Sequence, residues 1–430
     1  MQRYLIQWLS VTLALLLLVA LFNAVLDPYF CVHGVGWAGL NAVKPAAASR
    51  MEMSKTCQLR RVHPGTLVLG NSRAEVGFDP DHPAFTARPV YNAALPGSGL
   101  DTSLRFLRLA LATSAQHAAA PPQVVVLGLD FMDFLTDPLA PAVRDAVSEA
   151  AQPAQSQPLV AGFLVAAADA VARGRELLVS TLTLAATQDS VQTLLGQNDP
   201  DAVNLTPAGF NPLLEYRKIS REEGYWNVFR QKDLGNMASY MRRPFAIFDA
   251  SARSSAAWED LGDILRLCRQ HGIALHLLSY PYHAHLLQTI RLTGHWQAYA
   301  AWKRTMVQVL AQEALQTGQA AFVFWDFGVF NALTTELVPA PEDYSATMRW
   351  YWEAGHFKSA LGGLMLDRVL RHGSAPEGFG VPLTHENQQA QWRSLEEQEW
   401  NYQLSHPRDM HELTQLSGQL GLHQPGSAGR

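Results

Sequence analysis

A serine stands just past the end of a short apolar run. "LVLGNSRAEVGF" spans Leu67 to Phe78, and Ser72 follows Gly70 by two positions. A strand that turns sharply into a helix exposes such a hydroxyl, and the positive end of the helix favours the charge that develops on a nucleophile. The same residues fit a plainer role. Ser72-Arg73-Ala74-Glu75 places glutamate three positions after serine, the pattern of a capping box in which the serine caps a helix. A nucleophilic serine also needs a base. "RWYWEAGHFKSALGGLMLDRVL" (349–370) carries His356 before an apolar-periodic helix, with Glu353 three residues earlier and Trp350, Tyr351, Trp352 and Phe357 around it. His356 can take the serine's proton while Glu353 orients the ring through its other nitrogen. The alternative is a histidine packed among aromatic side chains.

Other polar residues fall near the same chemistry. "YPYHAH" (280–285) offers His283 and His285 at i, i+2. A metal would need a third ligand, and none is indicated by spacing, so no metal is expected. His283 is either a lining of the substrate cleft or ordinary polar surface. Arg73, beside the serine, would orient an anionic or sugar substrate or form a surface salt bridge. Asp326 in "FWDF" ends an apolar run and is expected in the same cleft. No cofactor is expected.

The elements that must position these residues alternate. Apolar, β-rich runs at 66–70, 89–97, 123–131, 273–280 and 320–328 are separated by helical spacing at 100–116, 255–270, 284–316 and 359–372. The pattern predicts a doubly wound, mostly parallel, five-stranded α/β sheet. Ligands bind such sheets at the carboxyl ends of the strands, where Ser72, Gly97, Asp130, His283 and Asp326 all fall. The alternation stops between about 135 and 250. There 158–195 reads as helical hairpin material, interrupted by Asp169, Arg173, Arg175 and Glu176, and is expected beside the sheet rather than as a second membrane span.

Taken in order, these pieces resemble the SGNH hydrolase superfamily, the GDSL-like esterases, over about residues 64–372. Gly70-Asn71-Ser72 stands for the first block. Gly97, preferred over Gly99, stands for the second. Gly128 and Asp130 stand for the third, and Glu353-Ala354-Gly355-His356 for the last. The resemblance implies a flavodoxin-like sheet with Ser72 as nucleophile, His356 as base and Glu353 as its orienting carboxylate. It also implies an oxyanion hole made by the backbone N–H groups of Ser72 and Gly97. The departure lies in the third block, where the family's asparagine donates to the oxyanion. An ionised Asp130 cannot donate and would oppose the charge. Asp130 is therefore expected to turn away or to be occupied by a backbone N–H or by Arg73, with Asn92 as a substitute donor. On that reading Asp130→Asn preserves or raises activity.

The chain also resembles a narrower group: membrane-anchored, extracytoplasmic proteins of alginate O-acetylation and teichoic-acid D-alanylation. This implies an O-acyltransferase or esterase of an envelope or exported polysaccharide, supplied by a multispanning membrane O-acyltransferase. A reading of another class is a catalytically silent scaffold or binding protein of a polysaccharide synthesis complex.

Topology agrees with that setting. Tyr4 to Leu26 carries no charge, and at about 1.5 Å per residue such a helix spans a bilayer core of about 30 Å. Arg3 precedes it and Asp27 follows, so the positive-inside tendency puts the bulk of the chain outside the cytoplasm, in the periplasm. Phe22, two positions before Ala24, is a poor fit to a cleavage site, which favours an anchor over a cleaved signal peptide. Cys31 and Cys57 can pair if that side is oxidising, and Cys268 reads as a buried thiol. The formal net charge of -5 shows no basic excess of the kind nucleic-acid binding needs. The expected organisation is an anchor (1–27), a juxtamembrane segment (28–63), the α/β domain (64–372) with its insertion at about 135–250, and a polar C-terminal extension (373–430). That extension carries a helix at 387–402 and a disordered end, "HQPGSAGR".

Overall fold

The computed structural model describes residues 1–137, 158–248, 255–373 and 375–422; the expected disordered end lies outside them. Contacts divide the chain into two compact units, Met1–Val62 with Pro141–Glu215, and His63–Ala140 with Tyr216–Arg430. The insertion read at 135–250 is thus shared between them.

The second unit is built on a mostly parallel sheet of six strands. The strands are β1 (Thr66–Leu69), β2 (Val90–Asn92), β3 (Val124–Leu129), β4 (Ala274–Ser279), β5 (Phe324–Asp326) and β8 (Val381–Leu383), with β6 (Tyr351–Glu353) and β7 (His356–Phe357) paired apart from this sheet. Their order is β2-β1-β3-β4-β5-β8. The five parallel strands are the apolar runs of the sequence. β1 is buried along its length and β3 nearly so, as central parallel strands require. The sixth strand corrects the expected count of five. It pairs antiparallel with β5, Trp325 opposite Pro382. Three residues with a proline in the middle carry no readable period, and proline is tolerated only on an edge strand such as this one. Arg368 holds the segment in place, its Nε donating to Phe379 O at 2.9 Å.

Strand order reverses between β1 and β3, so the crevice at their carboxyl ends is where a ligand is expected in this architecture. Ser72 follows β1 and Asp130 follows β3.

The segment 373–422, read as an extension, belongs to this unit. Helices Gln388–Ser405 and Pro407–Gln419 cover it, and Leu413 and Leu416 share a cluster with Met237 of helix Tyr225–Tyr240. A buried polar junction ties these elements to helix Ala284–Leu292. His285 Nδ1 lies 2.7 Å from Asp233, and its Nε2 lies 3.5 Å from Asp409. Burial alone would lower the pKa of His285, but the two carboxylates raise it to about 10. Burial alone would raise that of Asp409, but His285 and Tyr402 hold it down at about 2. The contribution of these two shifts to stability is therefore full from about pH 4 to 6.5, while Asp233, whose pKa burial raises despite His285, works against it as it ionises. That contribution declines as pH rises through 10, where His285 discharges, and as pH falls through 2, where Asp409 is protonated. Denaturant unfolding across pH 3–10 should show this window, and Asp233→Asn should cost about 3–5 kcal/mol inside it, the usual loss when one partner of a buried pair is removed.

The first unit begins with the apolar helix Gln2–Leu26, whose most apolar 18-residue stretch has a mean hydropathy of 2.6, long and apolar enough to cross a membrane. Helices Met51–Val62, Pro158–Leu182 and Leu184–Leu195 accompany it, and Cys31 is disulfide-bonded to Cys57. Cys268, in the other unit, is a buried free thiol.

Candidate active site

Asn71, not Ser72, caps the helix Ser72–Gly77. Its Oδ1 accepts from the Arg73 N–H at 3.1 Å, so the capping box expected of Ser72 and Glu75 is not formed. Ser72 is the first helical residue, and its hydroxyl is left for other work. That hydroxyl lies 2.8 Å from His356 Nε2, across 284 positions of sequence. The other ring nitrogen, Nδ1, is hydrogen-bonded to Glu353 Oε1. Glu353 is buried, and its second oxygen accepts from the Gly355 N–H at 2.7 Å. Burial by itself would raise the pKa of this carboxyl; His356, the Gly355 N–H and Lys232 together bring it down to about 2. Glu353 is thus a carboxylate at any physiological pH, ready to stabilise an imidazolium.

A two-stranded hairpin presents the histidine. β6 (Tyr351–Glu353) pairs with β7 (His356–Phe357), Glu353 opposite His356, so the tight turn itself holds acid and base side by side. Close packing brings the serine to them. A Cβ on Gly77 would fall 2.0 Å from Phe357 Cε2, and one on Gly362 would fall 1.8 Å from Gly77 O. Only glycine at both positions lets the serine's helix lie this close to the hairpin and to helix Ser359–Val369.

Asn92 and His283 have duties other than those expected and Arg73 is not at the surface, whereas Asp130 is occupied, as expected, by Arg73 and a backbone N–H. Asn92 is fully buried, and its Nδ2 donates to the carbonyls of Ala74, Glu75 and Phe78 at 3.0, 3.2 and 2.9 Å. Its amide is committed to the C-terminal end of the serine's helix and is not an oxyanion donor. Asn92→Ala should cost about 1–3 kcal/mol in unfolding experiments, the penalty for stranding buried carbonyls, and should slow any reaction of Ser72 by loosening its helix.

Asp130 is held by four donors. Asn71 Nδ2 reaches Oδ2 at 2.7 Å and Arg73 Nη1 pairs with the same oxygen, while Tyr282 Oη and the Met132 N–H reach Oδ1 at 2.8 and 3.2 Å. Its carboxylate is not offered to a reacting oxygen. Arg73 is not a surface residue: beyond Asp130, its Nε donates to Gly355 O at 2.8 Å, and its guanidinium lies over Tyr282. Burial disfavours the charge on this guanidinium, but the Asp130 carboxylate outweighs it and raises its pKa. Arg73 is a tie between the serine's helix, the end of β3 and the histidine hairpin.

His283 is buried rather than cleft-lining. Its Nε2 donates to Glu336 O at 2.8 Å, its Nδ1 accepts from the His285 N–H at 3.2 Å, and burial lowers its pKa to about 3. The neutral ring packs on Tyr351, and the His283 N–H donates to Ala354 O at 3.3 Å, so it supports the hairpin from behind.

Gly97 occupies a turn. Leu95 O accepts from the Ser98 N–H at 3.3 Å, with Pro96 second and Gly97 third at φ +68, the position of a type II turn that asks for glycine. Asp326 accepts from Ser279 Oγ and Lys303 Nζ, each at 2.7 Å, and lines a different cavity of about 260 Å³ with Lys303, Leu383 and Trp392. Among the described residues no group of three or more potential ligands is arranged to hold a metal.

Two supporting residues escaped sequence reasoning. Tyr280 Oη accepts from the Asn71 N–H at 3.3 Å, and Tyr282 fixes Asp130. The signal was present in "YPYHAH", two tyrosines at i, i+2 closing a strand, but the histidines drew the reading.

Compared with protein-family models, with curated proteins and with solved structures, the chain matches none.

Proposed function

We propose that this chain is a membrane-anchored, extracytoplasmic serine enzyme of SGNH type that transfers or hydrolyses acyl esters on an envelope or exported polysaccharide. The observation that carries the reading is the unbroken chain of hydrogen bonds from Ser72 through His356 to a buried, ionised Glu353. Such an arrangement serves acyl transfer whatever fold it stands on.

In the proposed reaction Ser72 Oγ attacks the acyl carbonyl as His356 Nε2 takes its proton. The new serine–acyl bond forms as the ester C–O bond breaks, and His356 returns the proton to the departing alcohol. A glycan hydroxyl or water then takes the acyl group by the reverse steps. The Ser72 N–H, at the first helical position, has no acceptor within its helix, and with the Gly97 N–H it would receive the oxyanion. Glu353 stabilises the imidazolium. A multispanning membrane O-acyltransferase is the proposed source of the acyl group.

The apolar helix Gln2–Leu26 and the Cys31–Cys57 bridge support an external location, since disulfides persist in oxidising compartments. Reporter fusions at residue 60 and at the C-terminus should both report from outside the cytoplasm; a cytoplasmic signal from either overturns the topology.

One observation favours the scaffold reading. Asn92 and Asp130 are both committed elsewhere, so neither side chain completes an oxyanion hole. Fluorophosphonate labelling of the full-length protein separates the two. Labelling at Ser72 supports the enzyme. Absence of labelling, with no acyl-serine detected by mass spectrometry after incubation with an acyl donor and glycan, leaves the scaffold.

A further inference from the structure

We infer that the helix pair Pro158–Leu182 and Leu184–Leu195 is a second membrane-contacting surface, resting its apolar side on the outer leaflet beside the anchor. The inference depends on reading Gln2–Leu26 as that anchor.

The pair is pinned to the outer end of the anchor by a buried polar contact. Asn23, fully buried, donates from Nδ2 to Thr181 O at 2.8 Å and to Thr187 Oγ1 at 3.0 Å. The level of the boundary is marked by polar groups that finish the anchor. Asn41 Nδ2 donates to the carbonyls of Val25 and Leu26, both at 3.1 Å, and Lys44 Nζ donates to Leu26 O and Asp27 O at 3.1 and 2.6 Å. Asp27 in turn accepts from the N–H groups of Val32, His33 and Gly34. Residues within one helical turn of Thr181 lie within about 5 Å of its level along their helix. They therefore sit at the bilayer interface.

What the helices expose there is apolar. On the first, Leu178 and Leu182, both within a turn of Thr181, recur at i, i+4 and are 57% and 42% exposed. On the second, Leu184, within a turn of Thr181, and Val191, within about a turn of Thr187, are 85% and 43% exposed, and Leu195, one turn further on, is 78% exposed. A stripe of this kind on each of two adjacent helices is not what a water-facing surface presents. Arg175 lies on the face of the first stripe, where a long basic side chain can reach headgroups while its stem stays in the apolar layer. Trp37, 47% exposed on the loop that closes the anchor, is the residue type enriched at the interface. The bilayer is preferred as occupant because Asn23 holds the pair against the outer end of the anchor, whose own Leu17, Leu18 and Leu21 are each about 60% exposed.

The test uses the full-length protein in lipid nanodiscs on a Cys268→Ser background, with an environment-sensitive fluorophore on Leu178→Cys, Leu184→Cys or Leu195→Cys. Leu13→Cys in the anchor and Leu315→Cys in the other unit are the controls. Nitroxide lipids are the quenchers, labelled either just below the headgroup or near the chain end. The expected result is quenching at Leu178 and Leu184 within a factor of about two of that at Leu13, stronger with the shallow label, and none at Leu315. Quenching at Leu13 but not at Leu178, Leu184 or Leu195 overturns the inference while the anchor stands. An apolar-shifted but unquenched signal at those sites puts a second copy of the chain on this surface and also overturns it. Absence of quenching at Leu13 removes the anchor and the inference together.

Discussion

Ser72→Ala is expected to abolish fluorophosphonate labelling and to lower any acyl transfer by about 10⁴-fold or more, with no measurable loss of stability. The separation of effects follows from the capping geometry. Asn71, not Ser72, satisfies the start of the serine's helix, so the hydroxyl has no structural duty there. His356→Ala should fall nearly as far, and the Ser72/His356 double variant no further than the worse single one, because the two act as a unit. Glu353→Gln keeps the size of the side chain but removes its charge. It should cost about 10³–10⁴ in rate, since the imidazolium would lose its stabilising carboxylate and the ring its fixed tautomer. Initial rates on a chromogenic acetate ester, with circular dichroism as the control for folding, measure all four. Unchanged labelling in Ser72→Ala would remove the serine from the mechanism.

The second large effect concerns Asp130. From sequence, Asp130→Asn was expected to preserve or raise activity by supplying an oxyanion donor. The structure reverses that expectation. Asn71, Arg73, Tyr282 and the Met132 N–H all donate to this carboxylate, so an amide would lose the charge that balances a buried guanidinium and would turn a donor toward donors. Asp130→Asn should therefore destabilise by about 3–5 kcal/mol and slow the serine's reaction; Arg73→Ala should do the same from the other side. A double-mutant cycle with Arg73→Met should show the two positions strongly coupled, the pair together costing well under the sum of the single changes. Urea unfolding and the labelling rate measure it. A faster labelling rate in Asp130→Asn would return Asp130 to the rim of the oxyanion site.

The chemistry-bearing residues could be picked out without coordinates because their signals are local. A serine after a strand, and a glutamate three residues before a histidine, are contiguous patterns, and the tight turn at Ala354–Gly355 holds Glu353 beside His356 whatever surrounds it. The five parallel strands were legible for the same reason: each is a short run of buried apolar residues, and burial on both faces leaves its mark on composition. β8 was not, because an edge strand of three residues with a proline needs no period to be held.

By itself, then, the sequence determined the α/β alternation, the apolar N-terminal helix, and which serine, histidine and glutamate could act together. Only the tertiary structure decided which polar groups are free to act. Asn92, Asp130, Arg73 and His283 have the residue types of a reactive site. Each, however, is committed to groups distant in sequence: the serine's helix for Asn92, Tyr282 for Asp130, Gly355 for Arg73, Glu336 for His283. A buried polar group must be satisfied by whatever lies beside it, and what lies beside it is set by packing across the whole chain, not by the residues next to it in sequence. Gly77 and Gly362 make the same point from the apolar side. Neither stands out in the sequence, yet the absence of a side chain at both lets the serine reach its base.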